Sequence, residues 1–253
     1  MDVAPELSRA HFRFYAELND HLPPDERYKN LERTFFVPST VKDMIEAFGV
    51  PHTEVDLIIA SDRSVDFEYT VRSGDRIAVY PMFESFDISP ESRVRAEPLR
   101  EPKFVLDVHL GRLAAYLRML GFDTEYLNCF CDPELVRIAV AEHRILLTRD
   151  RGLLKYGAIT HGYWLRHAVS RDQVAEVIRR FDLAKLIRPF TRCMACNGLL
   201  EPVSKDEARV VIPPRTAELH DEFNQCNQCG RVFWKGSHYE RMRRWIEQLR
   251  LPQ

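Results

Sequence analysis

Residues 103–127, KFVLDVHLGRLAAYLRMLGFDTEYL, and residues 131–154, CDPELVRIAVAEHRILLTRDRGLL, decide the fold. KFVLDV is a short apolar run ending in an acid, the pattern of a buried strand in a parallel sheet. Leu110, Leu113, Leu117 and Leu120 then recur at helical spacing with Ala114 beside them, and Gly121 stops the helix. TEYL (124–127) reads as a second strand. A helix follows from Asp132, with Pro133 at its first position and Leu135, Val136, Ile138, Ala139 and Val140 on its buried side. RILLT (144–148) is a third strand, with Asp150 at its end. Repeated β-α-β units of this kind predict an α/β domain with a parallel sheet and right-handed crossovers. Ligands of such sheets bind at the carboxyl ends of the strands, where Asp107 and Asp150 fall.

Two acids closing parallel strands, with Asp132 opening the helix between them, predict carboxylates gathered at one sheet edge. Gathered carboxylates repel unless a cation binds, and hard oxygen ligands favour Mg²⁺ or Mn²⁺. Such a centre positions an attacking water and stabilises the charge that develops in phosphodiester hydrolysis. Each acid also has an ordinary alternative, since Asp is a common helix cap, and CDPELV fits that role for Asp132 with Glu134 as a fallback ligand. Arg112 and Arg118 on the first helix, and Arg149 and Arg151 around Asp150, are candidates for phosphate contacts. Taken alone, Arg118 also fits a solvated helix face, and Arg149 a salt bridge to one of the aspartates.

Outward to the C-terminal side lie two CxxC pairs, Cys193/Cys196 and Cys226/Cys229, the second followed directly by Gly230. Four thiolates fill a tetrahedral zinc site and leave no position for water, so zinc here is structural and any chemistry lies elsewhere. The 29-residue gap between the pairs predicts an inserted hairpin or loop. Cys129 and Cys131 form a CxC expected to remain reduced. A final helix from about Ser237 carries Arg241, Arg243, Arg244 and Arg250 opposite Met242, Trp245 and Leu249, a face that either meets phosphate or is solvated.

Towards the N terminus, residues 11–18 and 30–37 read as extended. A short helix lies between Pro38 and Gly49, capped by Ser39 or Thr40, and VDLIIA (55–60) and IAVYP (77–81) are further strands around turns at 61–64 and 73–75. The stretch 87–102 mixes charge with three prolines and reads as a linker.

Charge is divided unevenly: residues 1–100 carry 12 Lys and Arg against 19 Asp and Glu, net −7, leaving 24 against 19, net +5, beyond. That division points a polyanion towards residues 101–253 and a protein, or a basic surface, towards the first module. With 45% hydrophobic and 29% charged residues, no apolar run of spanning length and no basic-then-apolar start, the chain reads as a globular cytoplasmic protein without a membrane segment.

The two opening stretches, together with RCMACNGLLEPV (192–203) and CNQCGRVFWKGSHYERM (226–242), resemble the PIN-like ribonuclease domain at the C terminus of mutator-type exoribonucleases, which is fused to a zinc ribbon. GVPHTEVDLIIASDRSVDFEYTVRSGDRIAVYP (49–81) resembles the ubiquitin-like β-grasp domain that precedes it in bacterial members. The resemblance implies an α+β multidomain chain: a ubiquitin-like domain at 9–88, a linker at 89–102, a nuclease domain at 103–188, and a zinc ribbon with a basic helix at 189–253. It implies Mg²⁺- or Mn²⁺-dependent cleavage of single-stranded RNA, with Asp107, Asp132 and Asp150 as metal ligands, and a possible protein partner for the first domain. Asp172, a candidate fourth acid, falls within a predicted Ser170–Gln173 capping box. Without a clear fourth acid, a non-catalytic RNA-binding or adaptor protein on the same fold stands as the rival reading.

Overall fold

A computed structural model describes residues 7–81, 93–94 and 102–249, so most of the expected linker lies outside the described residues. In chain order the elements are β1 (Ser8–Phe14), β2 (Leu31–Phe35), α1 (Val41–Ala47), β3 (Val55–Ala60), β4 (Arg63–Val65), β5 (Arg76–Pro81), β6 (Phe104–Leu106), α2 (Gly111–Met119), β7 (Thr124–Glu125), α3 (Asp132–Ala141), β8 (Ile145–Thr148), β9 (Gly162–Trp164) and α4 (Ser170–Arg180). They continue as β10 (Leu200–Val203), α5 (Lys205–Arg209), α6 (Pro214–Leu219), β11 (Phe223–Cys226), β12 (Val232–Trp234) and α7 (Ser237–Leu249). The chain forms two compact units, Met1–Glu101 with Ala139–Trp164, and Pro102–Ile138 with Leu165–Gln253.

In the first unit a five-stranded sheet runs β2-β1-β5-β3-β4, with β1 and β5 parallel and the other pairs antiparallel. Strict alternation along β1 buries Ala10, Phe12 and Phe14 and exposes Arg9, His11 and Arg13. Val41, Met44 and Ile45 of α1 join that core together with Ile58 and Val79, and the Phe48 ring lies 5.2 Å from Phe12 and 5.3 Å from Phe14. Each fully buried side chain of this kind contributes about 1.5–3 kcal/mol of transfer free energy. The Thr40 hydroxyl accepts the Asp43 N–H to start α1. At its other end Gly49 adopts φ +91°, and the N–H groups of Gly49 and Val50 return to the carbonyls of Glu46 and Ile45. This is the β-grasp arrangement. Two details differ from the sequence reading. The first strand ends at Phe14 and gives way to a 3₁₀ turn over Ala16–His21. The expected turn at 61–64 shortens to Ser61 and Asp62, both at positive φ, so that β4 begins at Arg63.

The same unit contains β8 and β9, paired in parallel with Leu146 opposite Gly162 and Thr148 opposite Trp164. All four residues of β8 are buried, as its unbroken apolar run requires. β9 was not expected from the sequence.

In the second unit β6 and β7 pair in parallel, Phe104 opposite Thr124, and α2 connects them as a β-α-β unit. A Schellman turn ends α2: Gly121, at φ +97°, donates to the Arg118 carbonyl and Phe122 to that of Leu117. The remaining carbonyls at that end, those of Met119 and Leu120, accept the N–H groups of Phe190 and Arg188. The strap leading to the first cysteine pair is thereby fixed to the end of α2.

The ribbon is an antiparallel sheet, β10-β11-β12. Between its cysteine pairs β10 and β11 pair antiparallel, as the expected hairpin, but their connection carries two short helices, α5 and α6, and Ala208, Ile212 and Ala217 from this segment pack with Phe223 and Val232. The start of α5 is a capping box, Ser204 with Glu207. α7 buries Ile246, sets Trp245 4.9 Å from Tyr116 and sets Tyr239 4.5 Å from Phe190. Among the described residues no helix is long and apolar enough to cross a membrane.

Gly121→Ala tests the junction between α2 and the strap. A Cβ at this positive φ would run into the Arg188 carbonyl and the Thr191 hydroxyl. The substitution is expected to cost about 2–4 kcal/mol, read as a lowered midpoint in denaturant titration.

Candidate functional site

Four cysteine sulfurs, of Cys193, Cys196, Cys226 and Cys229, lie within 4.8 Å of one another. Cys193 is 3.7 Å from Cys229 and Cys196 is 3.4 Å from Cys226. A tetrahedral centre with metal–sulfur bonds of about 2.3 Å has sulfur–sulfur edges of roughly 3.8 Å, so the cluster can hold a structural metal such as zinc. Each pair lies on a tight turn: Asn197 N–H returns to the Cys193 carbonyl and Gly230 N–H to that of Cys226, with both Asn197 and Gly230 at positive φ. Burial works against ionisation of Cys226, but the N–H groups of Cys229 and Gln228 aimed at its sulfur outweigh it and bring the thiol down to about 7. Burial instead pushes Cys196 up to about 12 and also raises Cys193. Four thiolates at this spacing require a cation to coexist, which is the condition a bound metal meets.

Arg118 attaches this cluster to α2. It is 3% exposed. Its Nε donates to the Thr124 carbonyl at 2.9 Å, and its terminal nitrogens donate to the carbonyls of Ala195 at 2.8 Å, Met194 at 3.4 Å and Tyr126 at 3.4 Å. Burial lowers its pKa, opposed by the nearby Glu125 and by Cys196 and Cys193. The expectation that Arg118 contacts phosphate is therefore corrected: the guanidinium faces inward and is occupied by the backbone of the cysteine turn. Asn197 reinforces the joint, accepting the Thr124 N–H and donating to the carboxylates of Asp123 and Glu125.

The three aspartates are placed differently. Asp107, half-buried, follows β6 directly and precedes a 3₁₀ turn over Val108–Leu110, to which its side chain makes no capping bond. Asp132 is exposed and stands inside the first turn of α3. The cap there is Cys131, whose carbonyl accepts the N–H groups of Glu134 and Leu135, while the Glu134 carboxylate returns to the Cys131 N–H and thiol. Pro133 consequently sits at the second helical position rather than the first. These Cys131 contacts hold the Glu134 carboxyl below its ordinary pKa and engage the residue considered as a fallback ligand. Asp150 is exposed and belongs to a turn after β8, where its Oδ1 accepts the Gly152 N–H at 2.7 Å and its own N–H donates to the Thr148 hydroxyl. Capping is thus set aside for Asp107 and Asp132 and retained, as a turn bond, for Asp150.

Asp172 is exposed in the first turn of α4, but the predicted capping box is absent. Ser170 lies inside the helix, and the Gln173 amide donates to the His167 carbonyl instead. Arg112 and Arg149 are exposed. Arg151 donates to the His21 carbonyl at 3.1 Å and places its guanidinium 5.2 Å from the centre of the Trp164 ring. On α7, Arg243 is paired within the helix to Glu240 and Glu247. The sequence reading did not single out Glu54, a wholly buried carboxylate 3.0 Å from His21; following the polar His52 and Thr53, it carries no local signal of burial.

The family model described as Mut7-C RNAse domain matches residues 102–246, and the one described as Mut7-C ubiquitin matches residues 7–87. No curated protein and no solved structure matches the chain.

Arg118→Ala separates a structural role from phosphate binding. With the carbonyls of Thr124 and Ala195 left unpaired, stability is expected to fall by roughly 2–4 kcal/mol. The salt dependence of any RNA binding should keep its slope, whereas loss of a phosphate contact would reduce that slope by about one unit.

Proposed function

Because the chain belongs to the Mut7-C RNAse domain family and carries the Mut7-C ubiquitin domain ahead of it, we propose that it is a metal-dependent ribonuclease that hydrolyses phosphodiester bonds of single-stranded RNA. The observation that carries the reading is the family match over residues 102–246, within which Asp107 directly follows the parallel strand β6 and Asp132 stands in the first turn of α3. We assign these two acids and Asp150 as hard-oxygen donors, a chemistry that fits Mg²⁺ or Mn²⁺. When bound, such an ion supplies Lewis-acid stabilisation of the phosphoryl oxygens and a more acidic water.

The protein's own part is to hold and orient. Asp107, Asp132 and Asp150 supply the carboxylates. Arg112 and Arg149, both exposed, contact phosphate oxygens and keep the strand in register. Asp150 is oriented by its bond from Gly152, so that the turn directs the carboxylate. RNA is the partner this reading implies. A protein partner of the N-terminal domain would use a surface other than the one that receives Arg151, Lys155 and Trp164.

Asp107→Asn and Asp150→Asn are expected to abolish Mg²⁺- or Mn²⁺-dependent cleavage of single-stranded RNA while the fold is kept. Asparagine can still accept the Gly152 N–H at position 150, and loss of a charge among acids relieves repulsion. Wild-type cleavage by both variants would reduce these acids to turn formers and overturn the reading.

The four cysteines are assigned one zinc that folds the ribbon and takes no part in bond cleavage. Elemental analysis of purified protein should return about one zinc per chain, and chelation should unfold residues 189–249. A zinc-free protein with an intact ribbon would refute the assignment.

A further inference from the structure

We propose that Glu54 and His21 of the N-terminal domain are positioning residues for the Asp150 turn, acting through Trp164. The proposal rests on the reading of Asp150 as a metal-binding acid. The contacts themselves lie within one compact unit, Met1–Glu101 with Ala139–Trp164.

Trp164 ends β9 and is held on four sides. Its backbone N–H donates to Glu54 Oε1 at 2.6 Å, and its indole N–H donates to the Arg149 carbonyl at 3.2 Å. Its ring lies 5.1 Å from that of His21 and 5.2 Å from the Arg151 guanidinium. The other oxygen of Glu54 is 3.0 Å from His21 Nε2, and both side chains are fully buried. The His21 carbonyl in turn accepts Arg151. Asp150 therefore stands between two residues that are both fastened to Trp164, and one of them is fastened to the N-terminal domain directly.

The rest of the segment is tied down in the same way. His52 bridges Glu46 Oε1 at 2.6 Å and the Ile159 carbonyl at 2.9 Å, and Lys155 donates to the Glu46 carbonyl at 2.8 Å. Gly162 allows close packing, since a Cβ there would meet Leu154 and Thr53.

A contact that served adhesion alone would be met by apolar surface, because a buried carboxylate is costly unless its oxygens are satisfied with good geometry. Glu54 uses one oxygen for the backbone of Trp164 and the other for His21. Its specificity is directional, and the direction leads to the carbonyl of Arg149 and the guanidinium of Arg151, the two neighbours of Asp150. The acid's own turn bonds, from Gly152 and to Thr148, define where its carboxylate points. Loosening Trp164 frees both flanks of that turn. The N-terminal domain acts here as a brace for an acid supplied by the segment Ala139–Trp164 of the same unit.

The test uses the full-length chain and three variants, Glu54→Ala, Glu54→Gln and Trp164→Phe, with amide hydrogen exchange at Asp150 and Gly152 read against Ile58 and Val79 in the sheet. Glu54→Ala is expected to speed exchange at Asp150 and Gly152 by about fivefold or more, with the sheet amides unchanged. Glu54→Gln, which keeps an acceptor for the Trp164 N–H, should restore most of the protection. Trp164→Phe removes the indole bond to Arg149 and shrinks the ring that meets His21 and Arg151 while keeping the backbone bond to Glu54; it should act in the same direction to a smaller extent, which keeps the test decisive if Glu54→Ala does not fold. In cleavage of single-stranded RNA the same variants should lower kcat in proportion to exchange, with KM little changed. Unaltered exchange at Asp150 and Gly152 in the folded variants overturns the proposal even if Asp150→Asn is inactive. Faster exchange together with full cleavage by Asp150→Asn upholds the brace and removes the catalytic reading of Asp150 instead.

Discussion

A guanidinium almost shut off from water must find oxygen atoms, and Arg118 finds them in the backbone of Thr124, Tyr126, Met194 and Ala195. That one constraint joins three parts of the second unit. The side chain leaves the last turn of α2, crosses the strand β7 and ends on the carbonyls between Cys193 and Cys196. A cation in this place also lies near Glu125 and Asp123, whose charges favour keeping the proton that burial would remove. Asn197, at positive φ directly after the first cysteine pair, completes the joint with bonds to the same strand. The metal turn is thus part of the packing of the α/β segment rather than an appended module, and the α2 carbonyls capped by Arg188 and Phe190 carry the same message from the other side.

The first unit solves a comparable problem with the opposite charge. Glu54 is a buried acid whose two oxygens are engaged by the Trp164 N–H and by His21. In both units the polar joint is made to backbone atoms, and backbone atoms of a loop have fixed positions once the bond is made. Such joints transmit placement, whereas apolar contacts tolerate sliding. The division of charge in the sequence, −7 before residue 101 and +5 after it, says nothing about either joint, because each depends on one side chain and its geometry.

Much of the architecture was legible because it rests on local rules. The strand-end acids, the leucine spacing of α2, Gly121 as a stop and the two CxxC turns each state their structure within a few residues. The cluster of four cysteines was legible for the same reason, since thiol pairs at that spacing have one common use. What escaped was long-range. β9 has only three residues, and nothing in Gly162–Trp164 announces a strand until β8 is beside it. The helices α5 and α6 carried a signal, Ser204 with Glu207 and the prolines at 213 and 214, that was passed over in favour of the general expectation for a long gap in a ribbon. Arg118 was misread as a surface cation because helical spacing marks the side on which a residue lies but not what approaches that side. Glu54 gave little sign of its burial, which depends on a partner 110 residues away.

The acids show how far a residue type alone can be pressed. Asp at a strand end or helix start has capping as its commonest use, and sequence could not separate that use from metal binding at any of the three positions. The neighbours show which residue supplies the cap or turn bond at each position. At α3 the Cys131 carbonyl accepts the Glu134 N–H and the Glu134 carboxylate returns to the Cys131 N–H and thiol, so the cap position is held by Cys131 and not by the aspartate between them. After β6 the chain enters a 3₁₀ turn whose first donor, Leu110 N–H, is satisfied by the carbonyl of Asp107 rather than by its side chain. After β8 the carboxylate of Asp150 does bind its own turn, yet one N–H leaves a carboxylate acceptor capacity for more than one further bond. A turn bond and a metal bond are then complementary, because the first fixes the orientation that the second requires.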